Sequence, residues 1–474
     1  MELNGIVFNA GASSFTIRVI LGLGGTPPES LNISGVGISN NSDIAQNFLV
    51  GGEGTSVNFL NNATAGNQTV FVLTSPGIGR NIISFGGSSS ADHGTFTIQG
   101  ADVFSSSLNF TENSTAAHGT FTVQGANQAL PILTQPGNLN FSGSSSADQG
   151  TFTVQGGTGS LGFRGGELNF GGNSTAGNAT LIADGQSTGA PKIVFGGGAT
   201  GGTPRVELFG NGLLDISGLT SLGVTIGSLE GDGSVLLGAR ILTMGSNNLS
   251  TTFAGVIQDG GASGGTGGAV SKIGTGTLAL SGANIYTGPT TVTGGKLLVN
   301  GSIASAVTVN GGTLGGAGTT GAVSVNSGGT LSPGNSPGIL HVVGNLSLSL
   351  GSTYLVELNG TAVGTQHDQA DVMGQVSLGG ATLSLSLGFV PAVGTTFNVI
   401  NNDLADPVTG TFAGLPEGST FAIGSGVLKI SYVGGDGNDV VLTVAAVPEP
   451  GSWALLAIGA MFFFVRRNPR RVRA

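Results

Sequence analysis

The sequence predicts an all-β fold: a right-handed parallel β-helix or solenoid with a β-rich C-terminal cap, followed by a short C-terminal hydrophobic helix. Three observations predict it. A phenylalanine-anchored segment recurs through the first 212 residues at a nearly constant step. Within each copy, apolar and polar side chains alternate, as a half-buried strand requires. Between the alternating runs lie Gly, Ser, Asn and Asp, residues suited to tight turns, and no stretch before residue 450 keeps a helical period.

The repeats of residues 1–212 carry most of this expectation. FGGSSSADHGTFTIQG starts at Phe85, FTENSTAAHGTFTVQG at Phe110 and FSGSSSADQGTFTVQG at Phe141. Looser copies start at Phe59 and Phe170, and another surrounds Phe195. In Thr95-Phe96-Thr97-Ile98 and Thr120-Phe121-Thr122-Val123, alternation sends the apolar residues to one face and the threonines to the other. A lone unit of this kind cannot bury its apolar face. Stacking in register solves that, with each Phe over its equivalent one coil away. About 16 coils at ~4.8 Å per coil give a rod of about 75 Å.

Residues 213–340 continue the β pattern with shorter repeats. VTVNGGTLGG at Val307 and VSVNSGGTLSPG at Val323 share a Val-x-Val-Asn start. Residues 341–444, with longer alternating strands punctuated by Pro391, Pro407 and Pro416, read as a cap over a strand edge that would otherwise stay unpaired. Residues 445–474 form a separate tail.

Composition excludes several classes. The 90 glycines of 474 residues follow no Gly-X-Y triplet, so the chain is not collagen-like. With no cysteine, disulfide staples, thiolate metal sites and thiol nucleophiles are all impossible. Five of the 14 basic residues lie in the last nine positions, which leaves residues 1–465 with 9 Lys and Arg against 24 Asp and Glu. A body of net charge −15 repels phosphate backbones, and nucleic acid is not an expected partner.

Few residues suggest chemistry. Gly334-Asn335-Ser336-Pro337-Gly338 fits the G-x-S-x-G spacing, but Pro337 has no N–H to give an oxyanion, so a turn is expected there. Gly434 to Leu442 fits one copy of a calcium nonapeptide, with Asp436 and Asp439 as the metal candidates. Neighbouring copies would be needed to complete a coordination sphere, and a glycine-rich hairpin accounts for the same residues. His93 and His118 occupy equivalent repeat positions, but the next copy has Gln149 there. His367-Asp368 reads as part of a solvated polar loop, and Asp92 and Asp148 read as turn residues. A polysaccharide lyase or hydrolase would need carboxylates gathered with Arg or Lys, and the body's five arginines are scattered singly. No catalytic residue and no cofactor is assigned.

Two segments resemble known families. Ser271–Ser302 looks like the autotransporter-associated β-strand repeat, through Lys272, Gly274, Gly276, Thr277, Leu278, Leu280, Gly282, Asn284, Tyr286, Gly288, Thr290, Val292, Gly294, Gly295 and Leu297. The resemblance implies a β-solenoid passenger, with Leu278, Leu280, Val292 and Leu297 facing inward. An autotransporter ends in an outer-membrane barrel, for which the residues after Val444 are too few. Those residues instead resemble the PEP-CTERM sorting signal. Its processing motif is Val447, Pro448, Glu449 and Pro450. An apolar anchor of Trp453, Leu455, Leu456, Ile458, Phe462, Phe463, Phe464 and Val465 follows, then a basic stop of Arg466, Arg467, Arg470, Arg471 and Arg473. The apolar run is short for a permanent span, and the arginines favour the cytoplasmic side.

That resemblance implies an exosortase-type processing enzyme as partner, a single membrane segment before processing, and a place in the bacterial cell envelope or extracellular matrix. Met1-Glu2-Leu3-Asn4 enters strand pattern at once, without a signal peptide's basic and apolar regions, so further sequence is expected upstream. The overall expectation is an exported, non-catalytic structural or adhesin-like protein that contacts exopolysaccharide or other surface glycans. The alternatives are a polysaccharide-active β-helix enzyme and a calcium-ordered surface module.

Overall fold

The computed structural model describes residues 1–20, 30–52, 54–74, 79–100, 105–126, 135–158, 164–403, 405–424 and 426–445. The helix expected over the C-terminal apolar run lies outside the described residues. So do Val447–Pro450, the anchor residues Trp453 to Val465 and the arginines from Arg466 to Arg473.

The described residues are strands and turns wound into coils that visit three sides in a fixed order. Strands of the first side form an 11-stranded sheet from Glu2–Phe8 to Val256–Gln258. A 9-stranded sheet beginning at Ala283–Asn284 continues it, Ile285 N–H donating to the Ile257 carbonyl at 2.9 Å. The second side is one 16-stranded sheet from Thr16–Val19 to Thr382–Leu387. The third side starts as single-residue bridges through Gly37, Thr64, Ser90, Thr115, Ser146 and Thr175. It widens into an 8-stranded sheet that begins at Gly223–Ile226.

Pairing on the first two sides is parallel and in register. Phe59, Phe85, Phe110, Phe141, Phe170 and Phe195 pair coil to coil on the first side, and Phe48, Phe71, Phe96, Phe121 and Phe152 on the second. The Phe59–Phe195 series is the one whose spacing predicted stacking. Along the first column, ring centroids are 4.6, 4.8, 4.7, 5.0 and 4.8 Å apart. The columns meet edge to face, as in Phe85–Phe96 at 5.8 Å and 80°. Parallel offset rings within a column and T-shaped contacts between columns both suit the aromatic quadrupole.

The third side contributes small residues to this interior. Ala91, Ala116, Ala147 and Ala176 are fully buried opposite the phenylalanines and leave room for the rings. At Gly119, one residue before its strand, a Cβ would lie 2.8 Å from the Phe121 ring, so only glycine fits. Turn positions Asp92 and Asp148 have φ of 52° and 49°, and each donates its backbone N–H to a serine hydroxyl oxygen two residues earlier, Ser90 and Ser146, at 3.0 Å. These residues serve the turn, as their neighbours in sequence suggested.

Beyond residue 213 the coils shorten and the core becomes mainly aliphatic, with single buried aromatics such as Phe253, Tyr286 and Tyr354. Leu278, Leu297, Leu314 and Leu331 stack in register on the second side, and Val292, Val309 and Val325 on the third. A coil with a shorter perimeter encloses a narrower interior, which Leu and Val fill and a double Phe column does not. Leu278, Leu280, Val292 and Leu297 all point inward.

Parallel coils persist past residue 340, Ile339–Val342 pairing with Gln369–Val372 and Thr353–Leu358 with Thr382–Leu387. Thr396–Asn402 then takes an antiparallel partner, Asp439–Ala445, which pairs with Gly426–Gly434, and that strand pairs with Thr420–Ile423. Reversing strand direction ends the parallel ladder at this end.

Candidate functional site

The long lateral faces are built from the outward half of each alternating strand. On the first side Asn32, Asn58, Asn109, Asn140 and Asn169 point outward from strands whose Leu and Phe are buried. Their amides chain in two runs separated by Ser84: Asn58 Nδ2 donates to Asn32 Oδ1 at 2.8 Å, and beyond Ser84 Asn140 donates to Asn109 at 2.9 Å and Asn169 to Asn140 at 3.0 Å. An amide both donates and accepts, so a column of them satisfies itself and still offers hydrogen-bonding atoms to a ligand. On the second side, threonines occupy the equivalent outward positions.

The histidines fall in three different settings. His93 and His118 stack at 4.8 Å on adjacent coils, and Asp92 Oδ1 lies 2.7 Å from His93 Nδ1. His341, Asp371 and Asn401 line up on the first side. His341 Nδ1 lies 2.7 Å from Asp371 Oδ2, and Asn401 Nδ2 donates to Asp371 Oδ1 at 2.8 Å. This row was not legible in sequence, because its members are 30 residues apart and meet only through coil register.

His367 and Asp368 correct the expectation of a solvated loop. They are 3% and 0% exposed. Asp368 accepts backbone N–H groups from Gly338 and Glu357, both at 2.8 Å, and so ties the 334–338 loop to the coil below. Burial pushes its carboxyl up to about 6, against the opposing effect of those two hydrogen bonds. Burial lowers the pKa of His367, whose ring packs edge-on against Phe397. The polar letters of GTQHDQADV hid this arrangement, since Asp368 is buried for its reach to two distant amides.

The calcium candidates lie at the end of the rod. Asp436 is exposed in the turn between Gly426–Gly434 and Asp439–Ala445, strands that pair as an antiparallel hairpin. Asp439 is buried, and its carboxylate accepts from Asn398 Nδ2 at 2.7 Å and Asn402 N–H at 2.9 Å. Burial raises its pKa, as does the nearby Asp436 charge. Among the described residues, no group of three or more His, Asp or Glu side chains is placed to hold a metal ion.

Lys272 is another residue whose role the sequence did not disclose. It is 1% exposed and has no carboxylate partner among its contacts. Its ammonium donates to the Ile273 carbonyl at 2.7 Å and the Gly294 carbonyl at 3.2 Å, bridging two coils, while burial lowers its pKa. Clefts lie at the two ends of the rod. One of about 710 Å³ is lined by Met1, Leu3, Ile6, Ile17, Arg18 and Val19, and one of about 170 Å³ by Leu387, Val390, Pro391, Val393 and Leu428.

Two family comparisons bear on this architecture. The passenger-associated-transport repeat matches residues 270–299, the segment that holds Lys272 and the inward Leu278, Leu280, Val292 and Leu297. The PEP-CTERM protein-sorting motif matches residues 446–471. That motif marks a chain for export to the cell envelope or surface through exosortase-type machinery. No curated protein matches the chain. Among the described residues no helix is long and apolar enough to cross a membrane. The chain is a parallel β-solenoid with an autotransporter-associated repeat in its body and a PEP-CTERM sorting tail.

Proposed function

We propose that this protein is a surface or matrix scaffold of the cell envelope, adhesin-like and without catalytic activity, that touches exopolysaccharide or other glycans along its lateral faces. The observation that carries the reading is the asparagine row on the first side, whose longest run, Asn109, Asn140 and Asn169, presents amide groups on three successive coils. Glycan hydroxyls are donors and acceptors, and many weak contacts along a rigid rod add by multivalency. The non-catalytic part of the reading is supported by the use of the inward carboxylates. Asp215 accepts from Ser217 and Ala262, Asp368 from Gly338 and Glu357, and Asp439 from Asn398 and Asn402. These groups are engaged in holding loops to coils.

A glycan array probed with the purified protein tests the adhesive part. Binding to extended polysaccharides that weakens on Asn140→Ala supports it, and silence across acidic and neutral glycans reduces the role to architecture. Product release from any arrayed polysaccharide contradicts the non-catalytic reading. For the tail, the fate expected in a host with exosortase-type machinery is loss of the segment beyond Pro450, with Glu449→Ala retaining it. Intact-mass measurement of the surface protein separates the two.

A further inference from the structure

The second side carries a surface that glycan contact does not explain. Over five successive coils, the strands bury Phe71, Phe96, Phe121, Phe152 and Leu181. They turn outward Val70 and Val72, Thr95 and Thr97, Thr120 and Thr122, Thr151 and Thr153, and Thr180 and Ile182. Register sets these ten in two straight columns, Val70–Thr95–Thr120–Thr151–Thr180 and Val72–Thr97–Thr122–Thr153–Ile182. Every member is β-branched and none is charged. The coil before them contributes Asn47 and Leu49, Asp184 flanks the last strand one outward position beyond Ile182, and the coil after brings Arg205 and Glu207.

The grid has fixed dimensions. Neighbours are about 4.8 Å apart from coil to coil, and about 6.6 Å apart along a strand, two residues of rise. The rings directly beneath it keep nearly one orientation, turning by only 7°, 9° and 5° from Phe71 through Phe96 and Phe121 to Phe152. β-branched side chains are stiff at χ1, so little conformational entropy remains to be lost on binding.

Such a surface presents a repeat in two directions and has no pocket. No aromatic ring projects from it to stack on a sugar, and no charge is there to pair with an acidic polymer. Its complement is a ligand that repeats in two dimensions, is uncharged, and accepts both hydroxyl hydrogen bonds and methyl groups in surface hollows. Ice is such a lattice, an uncharged two-dimensional repeat of hydrogen-bond donors and acceptors. We propose that this five-coil threonine–valine–isoleucine grid binds ice. The inference stands apart from glycan contact, which it places on a different side of the rod.

Ice-affinity partition and thermal hysteresis of the full chain test it. The wild type should concentrate in the ice fraction, shape seed crystals and hold a gap between melting and freezing. Thr122→Lys, at the centre of the grid, should remove all three effects while leaving the urea midpoint unchanged. Asn140→Lys, on the first side, should retain them. The proposal is overturned if the wild type partitions like an inert protein, if Thr122→Lys keeps full activity, or if Asn140→Lys loses as much. Retention on insoluble crystalline glycan without ice activity also overturns it and assigns the grid to another lattice.

Discussion

Phe121 has ring neighbours on both adjacent coils, Phe96 at 5.0 Å and Phe152 at 4.7 Å, and meets Phe110 edge-on. Truncation to Ala therefore removes transfer energy, leaves a cavity and breaks two stacks at once. Urea denaturation should show a loss of about 3–5 kcal/mol for Phe121→Ala, against about 0.5 kcal/mol or less for the outward Thr122→Ala. The alternating pattern makes this contrast readable from sequence. What it does not give is the second, edge-on column, because two strands of one coil are brought together only by the turn between them. Asp368 and His367 were misread for a related reason, and they make opposite pH predictions. Asp368 has a raised folded pKa, so its contribution is present at low pH and lost as pH rises through about 6. His367 has a lowered one, so its contribution is present above its ordinary value and lost as pH falls. Between pH 7 and 5, a His367→Gln variant should gain stability on acidification and an Asp368→Asn variant should lose it. Denaturation midpoints across that range check the signs.

At the scale of the element, perimeter determines what fills the coil. The wide coils before residue 213 hold Phe opposite Ala, and the narrow ones after it hold Leu and Val. Ala116→Leu should therefore overpack the wide coil and cost about 1–3 kcal/mol, read as a lower urea midpoint. In the narrow coils, Lys272 takes the place that a turn hydrogen bond would otherwise fill. Lys272→Met leaves the Ile273 and Gly294 carbonyls without their donor, and a loss of about 1–3 kcal/mol per orphaned group is expected, measured the same way. The family motif flagged Lys272 as a fixed letter, but its reach to Gly294 becomes evident only once the next coil is in place. The cap was legible as β-rich sequence. Its antiparallel direction was not, since alternation looks the same in either strand direction.

At the scale of the whole molecule, parallel in-register pairing makes the chain a rod with a repeating outer surface, and the sorting tail attaches that rod to an export route. The Phe step predicted the stacking. The ladders of Asn, Thr and His341–Asp371–Asn401 needed the register itself. The absence of cysteine permits a direct test of that register. Asn109 and Asn140 face each other on adjacent coils, and Asn169 lies one coil further on. Adjacent coils place Cα atoms about 4.8 Å apart, within disulfide reach, and alternate coils about 9.6 Å apart, beyond it. Under mild oxidation, Asn109→Cys with Asn140→Cys should form an intramolecular disulfide, and Asn109→Cys with Asn169→Cys should stay reduced. Failure of the first pair, or equal cross-linking of both, would contradict the stacked solenoid.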